Sequence, residues 1–203
     1  MKTSERERVL NLLVSDPVED YLTKMAETVA SISRAKIWDV VNALYSAWRA
    51  GKHIYICGNG GSAATASHMT NDLNKLVNVK GKPRFKAVSL SDNIPLITAW
   101  ANDSEFANIF VQQLKNFIDS EDIVIGISTS GLSENVLRAI RYANEMNAVT
   151  IGFTGDDGGQ LKLLADYCIL IPDENIHRQE DGHLILDHLI SATLHELILK
   201  FQE

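Results

Sequence analysis

Five short apolar runs separated by helical patterns constrain this chain more than any other feature. They cover residues 53–57, 85–90, 123–128, 148–153 and 167–171, each too short for a stable helix and rich in the β-branched and aromatic residues of strands. Strands that are apolar on both faces are buried on both faces, and intervening helices force them to run parallel. The pattern predicts an α/β chain, a three-layer αβα arrangement around a five-stranded parallel sheet, preceded by two N-terminal helices at 17–32 and 36–50. The second of these repeats Ile37, Val40, Val41, Leu44 and Trp48 along one face and stops at Gly51 as a C-cap. Further helices are expected at 62–76, within 94–118, at 134–146, briefly after the loop 155–159, and through the last stretch.

With 203 residues, 45% of them hydrophobic and 22% charged, the chain can bury one substantial core, and a single domain over 1–203 is expected. Residues 1–50 supply the paired helices, and residues 51–203 the sheet core and C-terminal helix. A net charge of -7 without a Lys/Arg cluster argues against nucleic acid as a partner. No apolar run reaches the roughly 18 to 20 residues of a membrane span. Residues 1–8 lack the apolar centre of a signal peptide, so a cytoplasmic protein is expected. Cys57 and Cys168 sit in apolar strand-like runs, as buried hydrophobes rather than as a disulfide or a reactive thiolate.

The first strand leads into Cys57-Gly-Asn-Gly-Gly-Ser62 and then an Ala-rich helical pattern. Glycines such as Gly60 let backbone approach a ligand, and the first-turn amides present the positive end of the helix dipole, so a phosphate is the natural guest. The loop meets only the looser dinucleotide fingerprint, with Ala63 in the third glycine's place and no acidic residue between Leu73 and Ser91. A tight turn without a ligand is the plainer alternative. The third strand leads into Gly126-Ile-Ser-Thr-Ser-Gly-Leu-Ser133. Ser133 reads as the helix N-cap, which leaves Ser128, Thr129 and Ser130 as further short hydroxyl donors for a phosphate. In a parallel sheet both loops leave at the carboxyl edge of the strands, where ligands bind.

His68 and Asp72 stand four residues apart on the helix after the first loop, and Glu180 and His188 eight apart on the last. Two imidazoles and two carboxylates suit zinc or a similar divalent ion. The alternatives are a simple surface pair for His68 and Asp72, Gln179 in the place of Glu180, and His183 with Asp187 as a rival pair on the last helix.

Together the two loops resemble the phosphosugar-binding loops of the sugar isomerase (SIS) domain, in particular its phosphoheptose isomerase branch, and the resemblance extends over essentially the whole chain. It implies the flavodoxin-like SIS fold, and a phosphate held by Ser62, Ser128, Thr129, Ser130 and Ser133, with Asn59 near the sugar. It implies a metal among His68, Asp72, Glu180 and His188, although the family's usual residue at position 72 is Glu. Asp is one methylene shorter, a loss of roughly 1.5 Å in reach.

The activity implied is aldose–ketose isomerisation of sedoheptulose 7-phosphate through an enediol(ate). His188 is then the base, Asp72 its acid/base partner on condition that burial raises its pKa, and Asp103 a substrate contact, if not a helix N-cap. Rival readings are a non-catalytic sugar-phosphate sensor, a replication-initiator-associated protein, and an isomerase of another phosphosugar. Residues 184–201 are apolar on nearly every face, which predicts a helix buried all round, against the first two helices and across a subunit interface. The resemblance implies a homotetramer with shared active sites.

Overall fold

The structure, a computed structural model, describes residues 16–201. The expectation for residues 1–8 lies outside that range. Helix α1 (Pro17–Ser31) starts where Asp16 accepts the amides of Val18 and Glu19, with proline already at the first turn. Helix α2 (Arg34–Ala50) follows the Ser33 cap and ends at Gly51, whose φ of 67° makes the expected left-handed C-cap. Its stripe of Val40, Val41, Leu44, Ala47 and Trp48 is buried.

Five strands follow: β1 (His53–Gly58), β2 (Lys86–Ser89), β3 (Ile123–Ser128), β4 (Val149–Thr154) and β5 (Tyr167–Leu170). All pair in parallel, in the order β2-β1-β3-β4-β5. Between them run α3 (Gly61–Asn71), α4 (Ile94–Asp103), the short α5 (Val111–Leu114), α6 (Glu134–Glu145) and the one-turn α7 (Leu161–Leu164); α8 (Ile176–Lys200) closes the chain. The mixed stretch resolves into α4, a 3₁₀ turn at Phe106–Asn108 and α5.

The pleat divides the core. Ile54 and Ile56 point to one face, with Ile123, Ile125, Leu44, Met69 and Leu194. Tyr55 and Cys57 point to the other, with Val124, Leu114, Val136 and Ile140. Helices cover both faces, so the central strands β1, β3 and β4 are buried almost throughout, as expected of a parallel sheet, while the edge strands β2 and β5 are partly exposed. Cys57 and Cys168 are free thiols, and burial pushes the Cys57 thiol up to about 12, too high for a nucleophile.

Three local expectations change. The helix expected through Leu76 is α-helical only to Asn71 and continues as a π turn, Asp72–Leu76. The wider turn lets two successive residues, Asp72 and Leu73, both turn inward, at 1% and 0% exposure. Asp103 is not an N-cap, because it is the last residue of α4. Helix α8 is not buried all round within the chain: Leu186, Ile190, Leu194 and Ile198 are buried, whereas Leu189 and Leu199 are 42% and 51% exposed. Part of its cover is α2 of the same chain, through the edge-on contacts of Trp48 and Tyr45 with Phe201.

Candidate active site

The order β2-β1-β3 places the switch point of the sheet between β1 and β3, where the chain turns opposite ways from neighbouring strands. Gly58 pairs with Ile127 and Cys57 with Gly126, so the two strands end level and their loops emerge side by side. The first loop needs its glycines. A Cβ on Gly58 would lie 2.7 Å from the Ser62 carbonyl oxygen, and Gly60 has a φ of 55°. Gly60 occupies the N-cap position of α3 without a side-chain cap, which leaves that end of the helix for a ligand. Ser62, in the first turn, is 5% exposed.

Ser133 occupies the N-cap position of α6, yet its hydroxyl makes no cap bond and instead lies 3.1 Å from the Ser128 hydroxyl. The Ser130 hydroxyl stands 3.5 Å from Ser128 and accepts the Leu132 amide. The structure thus gathers three serine hydroxyls of the second loop, and Thr129 holds the neighbouring turn by accepting the Gly155 amide on its carbonyl at 2.8 Å. Asn59 joins the two loops: its amide and that of Asn135 exchange two hydrogen bonds, of 2.9 and 2.8 Å.

At the far end of α3, His68 and Asp72 meet the last helix. The Nε2 atoms of His68 and His188 lie 2.9 Å apart, and the Asp72 Oδ2 is 3.6 Å from the first and 3.9 Å from the second. Asp187 joins them, with one donor atom from each of the four side chains within 4.8 Å of all the others. The imidazoles are partly open to solvent; Asp72 and Asp187 are 1% and 0% exposed. The Oδ2 atoms of both aspartates are buried without a hydrogen-bond partner. Burial, and after it the neighbouring Asp72, raises the Asp187 carboxyl to about 7, against a Ser191 hydroxyl bond of 3.3 Å. Two ring nitrogens at that separation cannot both carry a proton toward each other. Two unpartnered carboxylate oxygens and two converging imidazole nitrogens fit a divalent cation.

The other expected residues fall elsewhere. A Cβ on Gly61 would collide with the Glu180 carboxylate, so in this structure Glu180 stands at the glycine-loop end of α3 and not among the four donors. Gln179 is engaged by donating to the Asp173 carbonyl at 2.6 Å. His183 is wholly buried, donating from Nε2 to the Thr154 carbonyl at 3.1 Å. Asp103 is exposed at the end of α4 and accepts the Asn102 amide. His68 and Asp72 are not a simple surface pair, because Asp72 is buried.

A sequence profile of the SIS domain matches residues 19–155. The phosphoheptose isomerase of Clostridium acetobutylicum is 36% identical over 76% of this chain and 79% of its own length, and that of Trichlorobacter lovleyi 33% identical over 87% and 89%. The chain belongs to the SIS family, in its phosphoheptose isomerase branch. The solved phosphoheptose isomerase of Francisella tularensis superposes with a TM-score of 0.82, at 27% identity, over 91% of this chain and 99% of that one.

Two residues of this SIS domain escape a reading by motif. Asn135 carries no motif of its own, and only its place in the first turn of α6, on the buried side, marks it. Asp187 is legible in the sequence only as a partner of His183, four residues away; the fold turns it to the α3 side instead.

Proposed function

We propose that this chain is an aldose–ketose isomerase that interconverts D-sedoheptulose 7-phosphate and D-glycero-D-manno-heptose 7-phosphate. One observation carries the reading: His68 and His188, from helices far apart in sequence, meet at 2.9 Å beside the buried Asp72, on the helix whose N-terminus is the glycine loop. Membership of the phosphoheptose isomerase branch supports the substrate.

The phosphate end is held by Ser62, Ser128, Thr129, Ser130 and Ser133 with the Gly60 backbone, neutral donors reinforced by two helix N-termini. Asn59 orients the sugar, held by its pairing with Asn135, and Asp103 and Glu180 contact its hydroxyls. Isomerisation takes a proton from C1 of the ketose, moves the hydroxyl hydrogen from O1 toward O2 and returns a proton to C2. His188, through the ring nitrogen that the ion leaves free, removes and returns the carbon-bound proton. Asp72 Oδ2, which has no hydrogen-bond partner, carries the oxygen-bound one. A divalent ion, zinc by the nature of the donors, would be held by His68, Asp72 and His188 with a second carboxylate from α8, and when bound would supply electrophilic stabilisation of charge on the sugar oxygens.

The exposed Leu189 and Leu199 support a homo-oligomer, a tetramer with shared active sites, in which copies cover α8. The whole of 1–203 acts as one SIS domain in the cytoplasm, without nucleic acid or membrane partners. No helix among the described residues is long and apolar enough to cross a membrane. Purified protein given zinc and sedoheptulose 7-phosphate should produce the aldose signals in proton NMR, with deuterium entering C2 of the aldose in D2O. Absence of both at high enzyme concentration removes the substrate assignment.

A further inference from the structure

The donors that α8 turns toward His68 are not the pair implied by the family resemblance. We propose that Asp187, rather than Glu180, supplies the second carboxylate that holds the metal, so that α3 contributes His68 and Asp72 and α8 contributes Asp187 and His188. The proposal rests on the metal-centred reading above and deepens it.

Two observations lead there. Asp187 is 0% exposed, its Oδ2 has no partner, and its carboxylate lies within 4.8 Å of donor atoms on His68, Asp72 and His188. A buried carboxylate is matched by hydrogen bonds or a cation, and here the Ser191 hydroxyl serves only Oδ1. Glu180, in contrast, lies against Gly61. Positions 61 and 68 of α3 are about 10 Å apart along the helix axis, and positions 180 and 188 of α8 about 12 Å, longer than a glutamate side chain reaches.

The test compares the full-length chain with Asp187→Asn and Glu180→Gln, titrating apo-protein with zinc against a chromophoric chelator. Wild type should bind one zinc per chain. Asp187→Asn should lose at least about tenfold in affinity, as for other changes in the groups that define a metal site, while Glu180→Gln stays within about twofold. Since an altered buried residue can disturb folding, a gain of signal is read as well: Asp187→Cys loaded with cobalt(II) should show a thiolate-to-metal charge-transfer band absent from wild type and from Glu180→Cys. Unchanged zinc affinity in Asp187→Asn, or the band appearing in Glu180→Cys and not in Asp187→Cys, overturns the proposal. A wild-type chain that takes up neither metal defeats the metal-centred reading beneath it.

Discussion

At the level of single residues the site divides into groups that do chemistry and groups that hold them. His188 touches the reacting carbon in the proposed reaction, so His188→Ala should lower kcat by about 10²–10⁴, the usual contribution of a general base. Binding of a sugar phosphate, measured by calorimetry, should persist, because the loops proposed to hold the phosphate lie at the other end of α3. Loss of binding and of the thermal transition together would assign His188 to folding instead. Asn135 belongs to the holding class. Asn135→Ala strands the Asn59 amide between the loops, and should cost about 1–3 kcal/mol in chemical denaturation together with sugar-phosphate affinity. Equal affinity in that variant would mean that Asn59 is placed by the glycine turn alone. His68, His188 and the serines were legible in the sequence because motif and spacing carry them; Asn135 was not, and Asp187 only as half of a rival pair with His183, since their partners lie 76 residues away on the first loop and on the distant α3.

Among the elements, α3 does most to build the site. Its first turn faces the glycine loop, its last turn carries His68, and the π turn after it directs Asp72 inward. Its approach to β1 depends on Gly58, where a methyl group would meet the backbone of Ser62. Gly58→Ala should therefore displace the loop, destabilise the chain by about 1–3 kcal/mol and weaken inorganic phosphate binding. An unaltered melting temperature would show that the loop can yield. The helix was readable from its Ala-rich pattern, but its change to π geometry was not, because no local residue preference marks the turn that buries Asp72 and Leu73 side by side. Ser133 shows the same limit: its position as N-cap followed from sequence, while the hydroxyl's turn toward Ser128 followed from the neighbouring strand end.

Over the whole molecule, two predictions concern how the layers hold and how copies meet. His183 joins α8 to the end of β4, and burial lowers it to about 4 although its bond to Thr154 favours the charged form. The folded chain therefore keeps His183 neutral where the unfolded chain protonates it, so stability is full above the ordinary 6.5 and falls as pH drops toward 4. The loss approaches roughly 3 kcal/mol at the bottom of that window. Denaturation of wild type and His183→Gln at stepped pH should show a slope between those limits in the first and a shallower one in the second. Equal slopes would refute the assignment. Asp173 adds a separate loss at lower pH. Its bidentate bond from Arg178, and then a bond from Thr28, hold its carboxyl far below the usual 3.8, so its contribution is present above that value and disappears as pH falls below it. For the assembly, Leu189→Glu with Leu199→Glu should shift the light-scattering mass of the proposed tetramer toward smaller species, and a wild-type chain that stays monomeric on concentration would exclude it.

The sequence alone determined the parallel αβα sheet and the two loops that leave its carboxyl edge side by side, because apolar runs and turn glycines act through local geometry and through burial on both faces. It also paired His68 with Asp72, which share one helix. Only the tertiary structure decided which side chains of α8 meet them. The crossing of α3 and α8 joins positions 120 residues apart, and it brought Asp187 to His68 while leaving Glu180 at Gly61. Periodicity names the face of a helix; the height and rotation at which another helix crosses it depend on packing over the whole core.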